Sequence, residues 1–156
     1  MRTRVRAALA AALTASLLSL GSVAADPGTK LLEADLVGIP AGAAALFAGV
    51  TGGGLPWVLD KGEAKLLPDG RIQVEVEGLV LAAGAAIGMN PFPTGRAIVS
   101  CSNGADVVMS DPVPYSPEGD AKVDAQLALP SPCLGPIVFF AGQTGAGPRW
   151  FAVSGG

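Results

Sequence analysis

The sequence predicts an all-β fold: a single-domain antiparallel β-sandwich, immunoglobulin-like in general architecture, with a small β-barrel as the alternative. Three observations lead to this prediction. Glycine and proline, 22 and 13 of the 156 residues, divide the chain into short segments. Several segments alternate apolar and polar residues with the period of two that places one face of a strand on a core. No segment shows the pattern of an amphipathic helix, and short strands joined by turns are typical of sandwiches and barrels.

The first predicted strand, residues 29–40, ends at a glycine and a proline. The next segment, residues 41–56, is so rich in glycine that it leaves two alternatives open: a short helix at residues 43–47, or a mobile loop. Residues 57–67 then lead into a Pro-Asp-Gly turn at residues 68–70. A turn of this composition between two apolar runs indicates a hairpin.

Residues 71–81 form the clearest predicted strand. Ile72, Val74 and Val76 alternate with charged or amide side chains, so that one set faces a core and the other faces water. The second half of the chain continues in the same way, with Asn103-Gly104 as a hairpin turn. Its predicted strands are residues 96–101, 105–110, 120–129, 137–142 and 149–155. Trp57 and Trp150 are expected in the core of such a sheet protein.

Residues 1–25 have the organisation of a secretory leader. Three arginines within the first six residues form a basic head, residues 7–20 are mostly apolar, and small residues lead to a cleavage site after Ala25. The apolar body is shorter than the roughly 20 residues that span a bilayer, which makes an uncleaved anchor the less favoured alternative. We therefore expect a secreted chain, residues 26–156, in the extracellular space or periplasm, without stable membrane insertion after cleavage.

The charge of the mature chain excludes some partners. Three of the ten basic residues and none of the thirteen acidic residues precede Asp26, so the mature chain has a formal charge of −6. A chain of this charge without a basic cluster is a poor ligand for nucleic acid or for an anionic membrane surface.

The two cysteines, Cys101 and Cys133, are expected to form a disulfide. Two cysteines in a secreted domain usually pair. A catalytic thiol needs a base, which is usually histidine, and the sequence contains no histidine. A zinc site needs about four ligands, and two cysteines without histidine supply too few.

The absence of histidine also excludes the usual serine and metal-dependent hydrolase sites. Carboxylates remain as candidates for acid–base chemistry, and Glu75 and Glu77 share one face of a predicted strand. A solvated strand face is the favoured interpretation of this pair. A calcium site is the less favoured interpretation of a second group of carboxylates, Asp106, Asp111, Glu118 and Asp120. We expect no catalytic residue, no metal and no cofactor.

The segment at residues 82–93 is the candidate contact loop. It contains Ile87, Met89 and Phe92, and residues 82–95 carry no charged side chain. A long uncharged loop on an exported protein either covers a core or meets a partner. Met89 and Phe92 are the predicted anchors if the loop is a contact site, whereas Phe92 is buried in its own domain if the loop is a cover.

Most of the chain from Trp57 onward resembles a type of small, secreted bacterial protein of uncharacterised function. The resemblance lies in GLVL (residues 78–81), NPFPTGRAIVSC (residues 90–101), SPEGDAKVDAQLALPSPCLGPIVFF (residues 116–140) and RWFAVSG (residues 149–155). It implies a β-rich exported domain with one disulfide. It implies no catalytic residue, because no activity is assigned to the type.

These observations lead to two hypotheses about function. The first is an exported non-enzymatic protein that binds a ligand or forms part of the cell envelope or extracellular material, with an unknown protein or envelope component as partner. The alternative is a hydrolase that depends on carboxylates or on a divalent cation. The missing catalytic groups and the uncharged loop favour the first hypothesis.

The leader can be tested directly. The exported protein should begin at Asp26, or within one or two residues of it, because the small residues before Asp26 fit the signal peptidase. N-terminal sequencing of the protein recovered outside the cytoplasm gives the answer. A chain that starts at Met1 and stays in the membrane fraction would contradict the prediction.

Overall fold

The computed structural model describes residues 29–40 and 46–155 of the protein. The predicted leader, residues 1–25, lies outside the described residues. Among the residues that are described, no helix has the length and apolar composition needed to cross a bilayer. The strands found in the described ranges are, in chain order, β1 (Leu32–Gly38), β2 (Leu46–Phe47), β3 (Val50–Thr51), β4 (Trp57–Val58), β5 (Lys61–Leu66), β6 (Arg71–Glu77), β7 (Val80–Leu81), β8 (Thr94–Cys101), β9 (Asp106–Met109), β10 (Val113–Pro114), β11 (Ala121–Gln126), β12 (Ile137–Thr144) and β13 (Gly147–Ser154), with a 3-10 turn (Ser102–Gly104) after β8.

One large antiparallel sheet organises the molecule. Its strands follow the order β10-β8-β12-β13-β1-β5-β6-β11, and β9 also pairs with β8. The sheet curls into a half-barrel, and β10 and β11 at its two ends approach each other. Two short ribbons, β2–β3 and β4–β7, complete the described strands. The all-β antiparallel class predicted from the sequence is confirmed.

Strand β1 joins the two halves of the sheet because it changes neighbour along its length. Residues 32–35 pair with β5, whereas residues 36–38 pair with β13. At the end of β1, Gly38 lies against the backbone carbonyl of Trp57 so closely that a Cβ atom would not fit. Glycine is the residue that permits such a close approach of two backbones.

The hairpin of β5 and β6 follows the sequence pattern closely. Ile72, Val74 and Val76 are buried, and the side chains between them are exposed, as the alternation predicts. Gly70 ends the turn with φ of 88°, a conformation that glycine adopts without steric cost. The carboxylate of Asp69 accepts the backbone N–H of Arg71 at 3.1 Å, which closes the turn.

The core lies inside the curl of the sheet and beneath the ribbons. Trp57 and Trp150 belong to it, as predicted, with exposed fractions of 3% and 5%. The core is dense in aromatic side chains on β12 and β13, which have large apolar areas to remove from water. The largest fully buried side chains are Phe139, Phe140, Phe151, Ile39, Leu66, Ile72, Leu79, Ile98, Val74, Val76, Val99 and Val123.

The glycine-rich segment after β1 contains a hairpin where the sequence suggested a short helix or a mobile loop. Strands β2 and β3 pair within residues 46–51, and residues 41–45 lie outside the described residues. The indole N–H of Trp150 donates to the carbonyl of Val50 at 3.2 Å, and the N–H of Gly53 donates to the carbonyl of Trp150 at 3.0 Å. The hairpin is therefore held by a residue about one hundred positions away, which local patterns cannot reveal.

The predicted disulfide between Cys101 and Cys133 is confirmed, with the two Cα atoms 5.1 Å apart. The bond ties the end of β8 to the proline-rich segment before β12. Next to it, the N–H of Ser102 donates to the carbonyl of Leu134 at 2.7 Å. The bond and this contact together hold a segment that has no strand partner of its own.

Replacement of Cys101 and Cys133 by alanine should lower the free energy of unfolding by about 3 kcal/mol, because a loop of 32 positions is no longer closed in the unfolded chain. Thermal unfolding should show a fall in Tm of roughly 10 °C. The wild-type protein treated with reductant serves as a control and should unfold near the same temperature as the variant. Equal Tm values for the variant and the untreated wild type would contradict the prediction.

Candidate contact surface

The fold brings two uncharged stretches of the sequence side by side. Residues 36–59 and residues 78–95 contain no charged side chain. Strands β4 and β7 pair within these stretches, and the N–H of Ala82 donates to the carbonyl of Pro56 at 2.9 Å. We call the surface formed by residues 54–58 and 80–89 the apolar tip.

The apolar tip exposes large aliphatic side chains from both of its loops. Leu55 is 44% exposed, Ile87 is 64% exposed and Met89 is 54% exposed. The two loops touch, because a Cδ atom of Leu55 lies 3.2 Å from the position that a Cβ atom on Gly84 would occupy. Single exposed apolar residues are common on protein surfaces, whereas these residues lie together on two adjoining uncharged loops.

The backbone of the longer loop is held by its own hydrogen bonds. The N–H of Gly88 donates to the carbonyl of Leu81 at 2.8 Å, and the N–H of Leu81 donates to the carbonyl of Met89 at 3.2 Å. Gly84 and Gly88 have φ values of 91° and 78°, which allow the chain to turn twice within a few residues. The loop is thus a built structure that presents its side chains outward.

Asn90 fixes the base of this loop to the domain. Its side chain is almost completely buried, and its Nδ2 donates to the carbonyls of Phe92 at 2.6 Å and Ser116 at 2.9 Å. Its Oδ1 accepts the N–H of Phe92 at 2.9 Å, and its own N–H donates to the carbonyl of Pro117 at 2.8 Å. A buried amide with this many partners is costly to replace, because its removal leaves several backbone groups unpaired.

The structure separates the two predicted anchors. Met89 projects from the apolar tip, whereas Phe92 is half-buried and packs on the core. The ring of Phe92 is stacked 5.1 Å from the ring of Phe151 and lies 6.1 Å from the ring of Trp57. Phe92 therefore covers the core, and the exposed anchors of the loop are Met89 and Ile87. The contact role of the loop stays a prediction.

Tyr115 and the buried ring of Trp57, itself part of the apolar tip, connect the tip to the core. The hydroxyl of Tyr115 donates to the carbonyl of Leu79, the residue before β7, at 2.5 Å. Burial raises the pKa of Tyr115, so the hydroxyl keeps its proton and remains a donor. Trp57 stacks on Phe151 at 3.9 Å, and its indole N–H has no hydrogen-bond acceptor within the described part of the chain.

The carboxylates that the sequence singled out do not converge. Glu75 and Glu77 are exposed on β6, and Glu75 accepts from the ammonium of Lys122 at 3.2 Å. Asp120 accepts the backbone N–H of Gly78 at 2.9 Å, which is a structural contact in a turn. Across residues 29–40 and 46–155, no three His, Cys, Asp or Glu side chains lie close enough to hold a metal ion.

An open groove of about 650 Å³ lies beside the apolar tip, where β1 leaves β5. Its walls combine the apolar side chains of Val37 and Val58 with the carboxylates of Asp35, Asp60 and Glu63. Asp35 and Glu63 are cross-strand partners in this groove, but the groove is open, Asp35 is exposed and Lys61 pairs with Glu63 at 3.3 Å. The two carboxylates therefore have access to water, and neither is desolvated as an acid catalyst would be.

Comparison of the chain with protein-family models, with curated proteins and with solved structures finds no match. The resemblance to small secreted bacterial proteins stays a prediction.

Sequence reasoning missed Leu55, the member of the apolar tip that comes from the other loop. A signal was present, because residues 36–59 are as free of charge as the loop that contains Met89. The sequence could not show that the two stretches meet. That contact depends on the pairing of β4 with β7, and each of these strands has only two residues.

Phe92 and Met89 should respond differently to truncation. Phe92→Ala should lower the free energy of unfolding by about 2–3 kcal/mol, because it removes a ring that packs on the core. Met89→Ala should change the same quantity by less than about 0.5 kcal/mol, because the side chain is largely exposed. Urea unfolding of both variants measures the difference. Equal stability of the two variants would show that the ring of Phe92 does not contribute to the core.

Proposed function

We propose that this chain is an exported, non-enzymatic binding protein that contacts an envelope or extracellular component through its apolar tip. The observation that supports the proposal is the exposure of Leu55, Ile87 and Met89 on two adjoining uncharged loops. Exposed aliphatic side chains lower the solubility of a protein and add little to its stability. A group of them on one surface is therefore typical of a site that contacts another molecule.

The preformed backbone of the apolar tip supports this proposal. The hydrogen bonds of Asn90 and the internal bonds of the loop at residues 82–89 hold the loop in one conformation. A contact surface that is already ordered loses less conformational entropy when it binds. The affinity per unit of buried area is higher for that reason.

The distribution of charge gives the molecule two unlike surfaces. The outer face of β5, β6 and β11 carries exposed ion pairs, such as Lys122 with Glu75 at 3.2 Å and Lys61 with Glu63 at 3.3 Å. Pairs of this kind contribute little to stability and keep a surface hydrated. The hydrated face keeps the molecule soluble, while the apolar tip is the side suited to a partner.

The alternative function, a hydrolase that uses carboxylates or a divalent cation, has less support. A glycosidase-type mechanism needs two carboxyl groups across a cleft with one of them desolvated. Among the described residues, Glu75 and Glu77 lie on an exposed strand face, Asp106 begins β9, and the other sequence-predicted carboxylates lie in loops and a turn.

Binding to envelopes tests the proposed function without assuming the chemical nature of the partner. The exported protein is mixed with cell envelopes of the producing cells, and the bound fraction is measured by co-sedimentation. The double variant Ile87→Ser/Met89→Ser should lose at least about tenfold in affinity, because two exposed apolar side chains no longer leave water on binding.

Met109→Ser is the matched control for this experiment. Met109 on β9 is 46% exposed, close to the 54% of Met89, but it lies outside the apolar tip. The control variant should bind like the wild type, and both variants should keep the wild-type Tm. If the wild type does not bind, or if the two variants lose affinity equally, the proposed function is wrong.

A further inference from the structure

We propose that the surface contacted by the apolar tip is a zwitterionic phospholipid surface, on which the tip rests reversibly. This inference depends on the proposed function and names the chemistry of its partner. Three features of the described residues lead to it: the size of the exposed apolar group, the hydrogen bonding of the tip backbone and the charges around its base.

The size of the group argues against a second copy of the chain as the partner. A stable protein interface takes about 20–30 residues from each side. The apolar tip offers four large exposed side chains, those of Leu55, Val58, Ile87 and Met89, which is far fewer than such an interface takes. A lipid surface requires no matching partner area, since a few aliphatic side chains can enter the boundary between head groups and acyl chains.

Four backbone N–H groups of the tip have carbonyl acceptors that do not depend on water. A peptide N–H that loses water without another acceptor costs free energy in lipid. The N–H groups of Ala82, Ile87, Gly88 and Met89 all donate to carbonyls within the tip. These four N–H groups therefore keep their acceptors when the side chains of Ile87 and Met89 leave water.

The charges at the base of the tip select the type of lipid. Asp60 lies two residues beyond the end of β4, and its carboxylate packs against Gly78. Glu118 is exposed in the turn whose Pro117 carbonyl accepts the N–H of Asn90. The nearest lysine along the chain, Lys61, is paired with Glu63 at 3.3 Å. Carboxylates repel anionic lipids, whereas a zwitterionic head group has no net charge and does not repel them.

Vesicle flotation tests this inference. The exported protein, after its N-terminus has been sequenced, is mixed with phosphatidylcholine vesicles and floated through a density gradient. The wild type and Met109→Ser should float with the vesicles, and Ile87→Ser/Met89→Ser should partition at least about tenfold more weakly. Vesicles in which half of the lipid is phosphatidylglycerol should bind the wild type several-fold more weakly at low salt.

Three results would overturn the inference: no flotation of the wild type with phosphatidylcholine, equal flotation of the tip variant, or stronger binding to the anionic vesicles. The envelope assay separates this failure from a failure of the proposed function. If binding to envelopes depends on Ile87 and Met89 while phosphatidylcholine vesicles are not bound, the proposed function stands and the partner is not this lipid surface. If neither assay depends on the apolar tip, both proposals are wrong.

Discussion

The structure depends on the change of neighbour in β1. Its first residues belong to the half of the sheet that contains β5, β6 and β11, and its last residues belong to the half that contains β8, β12 and β13. The switch falls between Asp35 and Leu36. Beyond it, at the end of β1, Gly38 lets the backbone of Trp57 approach where a side chain would prevent it. Where β1 turns away from β5, the chain around Trp57 is free to pair with β7. Both the groove and the apolar tip result from that divergence.

The same region links the core to the candidate surface. Trp57 belongs to the stack with Phe151 in the core, and its neighbour Val58 is on the exposed side of a two-residue strand. Phe92 extends the stack toward the longer loop, and Asn90 fixes that loop through backbone groups of two segments. The exposed side chains of the tip are therefore linked to the buried core through Trp57, Phe92 and Asn90, although they lie on loops.

The sequence predicted the features that depend on local pattern. The alternation of β6, the Pro-Asp-Gly turn and the pairing of Cys101 with Cys133 are all found in the structure, because each depends on neighbouring residues or on simple chemistry. The β2–β3 hairpin was not predicted, since Trp150 supplies the acceptor and donor that hold it. The role of Phe92 was left open for a similar reason. Whether an uncharged loop covers a core or faces water depends on rings that lie far away in the sequence.

The position of β13 has a consequence for how the chain acquires its shape. This strand is the last one described, yet it lies in the middle of the sheet between β12 and β1, the first one described. The two halves cannot join before residues near position 150 are available, so the contacts that complete the fold are among the longest in sequence. Non-local contacts of this kind slow folding. A polypeptide with this strand order stays open until β13 is available to join β12 to β1.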